Sequence, residues 1–245
     1  MNVAKSFLTS SEVHVWAVWL NASAQLCCAY RDLLVAEETA RADKFAFEHL
    51  RRHYEVSQGA LRLLLARYLR RQPRELIFTF GPRGKPALAD DVRLQFNLSN
   101  SADMSLYAFT INCEIGVDVE QVRPLADLGN LASRYFCDAE AAELLSIDDK
   151  RSRQEAFFRC WTRKEAYIKA IGTGLYLPLD QFRVTLLSDE PPRFVHIGRS
   201  AKTADEWTLQ HLDPAPDYVG ALAYQSPSRK IIFHHPLTPF ELMEL

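Results

Sequence analysis

The chain has 245 residues, enough for one large domain or two small ones, with a core that needs no disulfide or metal. Hydrophobic residues make up 48% and charged residues 24%, which excludes disorder, a collagen-like repeat and a coiled-coil rod. The net charge of −2, from 29 basic and 31 acidic side chains, excludes a polycation built to coat nucleic acid. The cysteines are Cys27, Cys28, Cys113, Cys137 and Cys160; none falls in a C-x-x-C pair, so neither a disulfide framework nor a zinc ribbon is indicated. No segment reaches the roughly 18 consecutive apolar residues of a membrane span. The run from Val13 to Leu20 contains His14, follows Glu12 and has only Lys5 upstream, which is not a secretory pattern. A reduced, cytoplasmic setting is the expectation.

In chain order the pattern is α+β. Val13 to Leu20 reads as a strand, and Tyr54 to Arg71 as a helix with Leu61, Leu64, Leu65, Tyr68 and Leu69 at helical spacing. Leu76 to Phe80 is a short strand, and Gly81 to Pro86 is a turn by composition. Leu94 to Leu98 and Leu106 to Ile111 predict a hairpin, followed by a strand from Ile115 to Val119. Asp138 is placed to cap a short helix, and a long helix is predicted from Arg153 to Ile171, ending at the Gly172–Gly174 break. Strands follow at Phe182 to Leu187, Trp207 to Leu212 and Tyr218 to Tyr224, with proline-rich loops at 191–192 and 214–216. The tail after Pro236 is expected to be peripheral. Each half therefore runs as strand, long helix and further strands, an order that hints at duplication. The predicted boundary lies near Asn112, giving halves 1–112 and 113–245.

Charge is unevenly distributed. Residues 41–74 carry nine basic side chains against Asp43, Glu48 and Glu55, whereas residues 114–149 carry nine acids against Arg123 and Arg134. That asymmetry suits a polyanionic ligand held together with a cation, but charge alone favours two solvated helix faces. Phe45, Phe47, Tyr54 and Tyr68 are expected in the core rather than as stacking platforms, so no nucleic-acid partner is expected.

Four short constellations carry chemistry. In Gly116-Val117-Asp118-Val119-Glu120, strand alternation puts Asp118 and Glu120 on one face. Two neighbouring carboxylates repel unless a proton or cation intervenes, and hard oxygens suit Mg²⁺, although D-x-E alone reads as a strand with a wet face. In Trp161 to Lys169, a helical turn of about 100° per residue puts Glu165 inside the apolar arc of Phe157, Phe158, Trp161 and Ile168. A carboxylate there must be paired or bound to metal. The turn Arg83-Gly84-Lys85-Pro86 could grip phosphate, and Phe96 to Ser101 carries small hydrogen-bonding groups that by themselves read as an Asn/Ser turn.

In this order, the four stretches resemble the Sfp-type 4′-phosphopantetheinyl transferases. The matching stretches are Arg83 to Pro86 (the G-K-P motif), Phe96 to Ser101 (usually F-N-x-S-H-S), Gly116 to Glu120 (G-x-D-x-E) and Trp161 to Lys169 (W-x-x-K-E-A-x-x-K). The likeness continues through Gly172 and Gly174-Leu175 to Pro178-Leu179, and spans roughly Arg41 to Val184. The resemblance implies a pseudo-dimer of two similar α+β halves with the active site between them. It implies transfer of 4′-phosphopantetheine from coenzyme A to a serine of an apo acyl or peptidyl carrier protein, with Mg²⁺ required and 3′,5′-ADP released.

Carried over by position, Asp118, Glu120 and Glu165 would be the magnesium carboxylates, Glu120 acting through water. Glu165 would also be the general base, and Lys169 would stabilise or protonate the departing 3′,5′-ADP, with Lys164 adding positive charge nearby. Arg41, Arg83, Gly84, Lys85, Asn97, Ser99 and Asn100 would grip the nucleotide and its phosphates. A monomer is expected, because a pseudo-dimer builds its own cleft. A coenzyme A- or carrier-binding relative without turnover is the alternative, and a phosphoester hydrolase with the same carboxylates leaves the W-x-x-K-E-x-x-x-K helix unexplained. Two positions depart from the family pattern: Asn100 stands where the family has histidine, and Gln58 where relatives often have arginine. Both remove positive charge from the phosphate side. Asn100→His is therefore expected to lower KM for coenzyme A in steady-state assays; an unchanged or raised KM would remove this explanation.

Overall fold

A computed structural model of the chain describes residues 8–198, 201–225 and 228–245; Lys5 of the N-terminal reading lies outside them. The first half contains β1 (Glu12–Trp19), α1 (Ala24–Arg31), α2 (Ala36–Ala42), α3 (Glu48–Leu69), β2 (Phe78–Phe80), β3 (Pro86–Leu88), β4 (Leu94–Ser101) and β5 (Met104–Ile111). After it come β6 (Ile115–Gln121), α4 (Leu128–Tyr135), α5 (Asp138–Leu145), α6 (Lys150–Ile171), β7 (Phe182–Val184) and β8 (Phe194–Ile197). The chain closes with α7 (Ala201–Ala204), β9 (Thr208–Leu212), β10 (Tyr218–Tyr224), β11 (Lys230–Leu237) and α8 (Pro239–Met243). The fold is α+β, as expected.

Two sheets, ordered β11-β1-β5-β4 and β6-β10-β9, lie between α3 and α6. Strand alternation sorts the residues. On the first sheet Trp16, Val18, Phe96, Tyr107 and Phe109 face α3, packing with Val56, Leu61, Leu64 and Leu65. Their neighbours Val13, Val15, Leu106 and Ala108 face Ile115, Val117, Val119, Leu222 and Tyr224 of the second sheet. The other face of that second sheet offers Val219, Ala221 and Ala223 to α6. Central strands are therefore covered on both faces, which is why Val13 to Leu20 and Tyr218 to Tyr224 read as continuous apolar runs.

The structure departs from the sequence reading in several places. The tail is not peripheral: β11 pairs in parallel with β1, His14 opposite Ile232 and Trp16 opposite His234. The Tyr30 hydroxyl then donates to the Pro239 carbonyl at 2.7 Å, and Leu242 is buried. Pro236 is tolerated within β11 because that strand is the sheet's edge and needs no further donors. This strand returns from beyond residue 112 to complete the sheet of the first half.

The hairpin is longer than predicted, because Ser99, Asn100 and Ser101 stay in the ladder opposite Leu106, Ser105 and Met104. Cys137, not Asp138, holds the N-cap position of α5, where its N–H donates to Glu140 at 3.0 Å. The polar first turns of α3 and α6 carry no apolar period, so both helices begin earlier than the periodicity indicates. Phe45 and Phe47 are exposed rather than core.

One glycine sets the distance between α6 and β6. A Cβ on Gly116 would lie 2.1 Å from the Ala166 carbonyl oxygen and 2.4 Å from the Ala170 nitrogen, closer than any packing allows. Gly116→Ala must push the helix off the strand. It is expected to cost at least about 3 kcal/mol in urea unfolding; a loss under about 1 kcal/mol would show that the helix and strand are not in such contact.

Candidate active site

The site begins as a seam between two sheet edges. β6 is an edge strand, so its outward N–H groups need partners from outside its own sheet. The polar residues of β4 supply them. Asn97 Oδ1 accepts from the Val117 N–H at 2.9 Å. Ser99 Oγ donates to Asp118 Oδ1 at 2.7 Å. Ser101 Oγ donates to Glu120 Oε2 at 2.7 Å and accepts from the Gln121 N–H at 3.1 Å. Alternate residues of β4 thus each meet β6, at Val117, at Asp118, and at Glu120 with Gln121.

Helix α6 closes the third side, its backbone held against β6 by Gly116. The Lys169 ammonium donates to Asp118 Oδ1 at 2.5 Å and to Ser99 Oγ at 2.8 Å. Asp118 is 4% exposed, and its other oxygen, Oδ2, is buried without a hydrogen-bond partner. Burial pushes the Glu165 carboxyl up to about 7, the negative charges of Asp118 and Glu120 add to this, and Lys169 opposes it. Burial also raises Glu120, against the hydrogen bond from Ser101.

Three carboxylates from facing elements, with one buried oxygen unspent, form a site that favours a proton or a hard cation. Among the described residues no three metal-ligating side chains already converge into a coordination shell. The donor set fits Mg²⁺, which commonly takes one or two protein carboxylates and completes its shell with phosphate and water.

Other expected residues have other neighbours. Lys85 donates to Glu114 at 3.1 Å and to the carbonyls of Ile115 and Ala170 at 3.2 and 2.5 Å, and burial lowers its pKa. It thereby satisfies a carbonyl of the last turn of α6. Asn100 Oδ1 accepts from the hydroxyls of Ser57 and Ser105 at 3.0 and 2.5 Å. The Arg83 guanidinium lies 3.4 Å from the centre of the Tyr176 ring, and Gly84 beside it has φ +82°. Arg41 lies over Tyr54 at 5.5 Å.

Lys164 does not join the site. It is fully buried, 2.8 Å from Glu140, and donates to the carbonyls of Leu179 and Phe182 at 2.6 and 2.5 Å. Its charge serves the core of the second half, where a bare ammonium would be costly. Much of the basic stretch is likewise spent internally: Arg62 is buried and pairs with Glu38 at 2.7 Å, and Arg71 pairs with Asp90. Sequence reasoning missed Ser101, Ser57 and Tyr176. Ser101 was within reach, since it continues the 97, 99 alternation; the other two meet their partners only through the fold.

Comparison with known proteins places this geometry. Residues 114–223 match the model of the 4′-phosphopantetheinyl transferase superfamily. The 4′-phosphopantetheinyl transferase HetI of Nostoc sp. (strain PCC 7120) is 37% identical over 219 residues, covering 88% of this chain and 89% of that protein. The transferase Sfp of Bacillus subtilis (strain 168) is 33% identical over 129 residues, covering 53% and 56%. Among solved structures, the holo-[acyl-carrier-protein] synthase of Neisseria meningitidis aligns with 22% identity and a TM-score of 0.35, covering 45% of this chain and 95% of that one. The chain belongs to the 4′-phosphopantetheinyl transferase family.

The raised Glu165 pKa fixes a pH dependence. A carboxyl that holds its proton more tightly when folded contributes stability below the ordinary carboxylate range, and loses it as pH rises through about 7. In metal-free protein, Glu165→Gln should therefore become more stable than the native chain as pH is raised from about 5 to about 8, by on the order of 1 kcal/mol after solvent screening. Urea unfolding in EDTA measures this, and parallel curves at all pH values would contradict it.

Proposed function

We propose that the protein moves the 4′-phosphopantetheine of coenzyme A onto a serine of an apo acyl or peptidyl carrier protein, with Mg²⁺, releasing 3′,5′-ADP. The observation that carries this reading is the meeting of Asp118, Glu120, Glu165 and Lys169 where α6 crosses β6. Family membership supports it. Bound Mg²⁺ would neutralise pyrophosphate charge; Asp118 and Glu165 would hold it, with Glu120 contributing through water.

The chain's own residues then have distinct tasks. Glu165, in its ionised form, takes the proton of the serine hydroxyl as that oxygen bonds to the β-phosphorus of coenzyme A. The bond from that phosphorus to the 3′,5′-ADP oxygen breaks, and the electron pair leaves with 3′,5′-ADP. Lys169 stands beside Asp118, placed to stabilise or protonate that leaving group once it exchanges its contact with the carboxylate. Ser99 keeps Asp118 oriented, and Asn97 keeps β6 in place. Arg41 and Arg83 have no acidic partner among the described residues, and Asn100, bonded only through its Oδ1, keeps its amide N–H donors, so these three remain able to meet phosphate, whereas Lys85 would first have to give up internal contacts.

The reading includes two halves, 1–112 and 113–245, acting as one monomeric cleft, with β11 returning to the first. It also places the protein in the cytoplasm, in keeping with five free thiols; no helix of the described residues is long and apolar enough to cross a membrane. Intact-protein mass spectrometry of several apo carriers with coenzyme A and Mg²⁺ tests it. One phosphopantetheine should be gained, and lost with EDTA; Glu165→Gln should slow the gain by about 10²–10⁴-fold. No gain on any carrier, with coenzyme A still bound, would leave a binding protein in place of a transferase.

A further inference from the structure

We propose that Tyr176 is a positioning residue for ligand phosphate: its ring holds the Arg83 guanidinium in place as an anion receptor at one end of the cleft. The inference rests on coenzyme A being the ligand, and adds a residue that lies outside the four recognised stretches. Arg83 comes from the β2–β3 turn, where the Gly84 N–H bonds back to the Gly81 carbonyl at 2.9 Å and the Gly81 N–H to the Lys85 carbonyl at 2.9 Å. Tyr176 comes from the short 3₁₀ turn Gly174–Tyr176 that follows α6. The two therefore meet across the division at residue 112.

Four observations give the pair a purpose beyond packing. Tyr176 is 73% exposed, so its ring covers no core. The guanidinium carbon lies over its ring, 3.4 Å from the centroid, which is stacking distance. The in-plane N–H donors are left over, since Arg83 makes no hydrogen bond or ion pair among the described residues. Finally, Pro82, Arg83, Gly174 and Tyr176 line a cavity of about 560 Å³.

The arrangement removes rotamer freedom from the arginine before a ligand arrives, while leaving the edge that recognises a phosphate unspent. Lys85, two residues on, cannot serve in the same way because its ammonium is committed to the end of α6. Anchoring the turn there also fixes where Arg83 begins. Gly174, at φ +57°, has open space where a Cβ would project, so nothing crowds the mouth of the cavity from that side.

The test combines calorimetric binding of coenzyme A with steady-state kinetics. Tyr176→Ala should raise both Kd and KM for coenzyme A about three- to five-fold, with kcat within about two-fold of the native value. Tyr176→Phe keeps the ring and should stay within about two-fold of native in all three quantities. In an Arg83→Ala background, Tyr176→Ala should add nothing further. Unchanged Kd in Tyr176→Ala would overturn the inference. So would losses that add in the double variant, because the ring would then be touching the ligand itself. Side-chain NMR of ligand-free protein checks the stack independently: the ring-current shift of Arg83 should vanish in Tyr176→Ala. Native protein that does not bind coenzyme A at all would instead sink the transferase reading, whatever the NMR shows.

Discussion

The hydrogen bonds from β4 to β6 are the constraint on which the rest of the site depends. Two sheets packed face to face leave their edge strands with unpaired backbone groups, and at this edge the gap is filled by side chains rather than by a ladder. Asn97 satisfies a backbone N–H of β6, and the next inward residue, Ser99, grips the carboxylate of the following residue on that strand. Ser101 repeats the arrangement with Gln121 and Glu120. Joining the sheets and aiming the acids are therefore one act. A small polar side chain at every second position is required, because a larger one would hold the strands apart and an apolar one would strand a buried donor.

Helix α6 completes the site only because β6 has no side chain where the two cross. With Gly116 in that position, the backbone of the helix lies against the strand, and Lys169 reaches the same carboxylate oxygen that Ser99 holds. Electrostatics then leave the cluster short of positive charge. Lys169 at Asp118 and Arg123 at the outer end, 3.5 Å from Glu120, face three carboxylates, one of which has an oxygen buried and unpaired. At neutral pH the metal-free protein answers this partly with a proton on Glu165, the carboxyl most strongly raised by burial and by its neighbours. A divalent ion would take over that duty and release the carboxylate to act as a base.

How much of this was legible in the sequence depends on whether local period or tertiary contact decided the outcome. Alternation put Asp118 and Glu120 on one face, and the helical period put Glu165 on a face where a carboxylate needs company; both follow from backbone geometry alone. Lys164 shows the limit. It adjoins Glu165 in the chain and looks like part of the same motif, yet a turn of about 100° sends it to a different face. There its partners are Glu140 and two carbonyls at Leu179 and Phe182, none of which a local pattern can nominate. The Asn/Ser run failed for the opposite reason. Its residues favour turns in isolation, and they remain strand because they pair in the ladder with β5 while their side chains find partners on β6, α3 and β5. The last strand was missed because it is half-exposed, contains Pro236 and pairs with β1 across nearly the whole chain.

The same distinction divides the residues of the recognised stretches into frame and receptor. Lys85 would be read from its turn as a phosphate grip, but its ammonium lies where the carbonyl end of α6 needs a donor, and burial lowers its pKa. A cation held by a helix terminus and two further oxygens is poorly placed to be given up to a ligand. Asn97 is tied in similarly, to a backbone N–H, whereas Asn100 accepts two hydroxyls at its Oδ1 and keeps its amide donors. Arg83 differs because its partner is an aromatic face, which leaves its hydrogen-bonding edge unspent. Motif residues therefore divide by the bonds they already make: Lys85 and Asn97 tie strand and helix together, whereas Arg83 keeps its donors unspent.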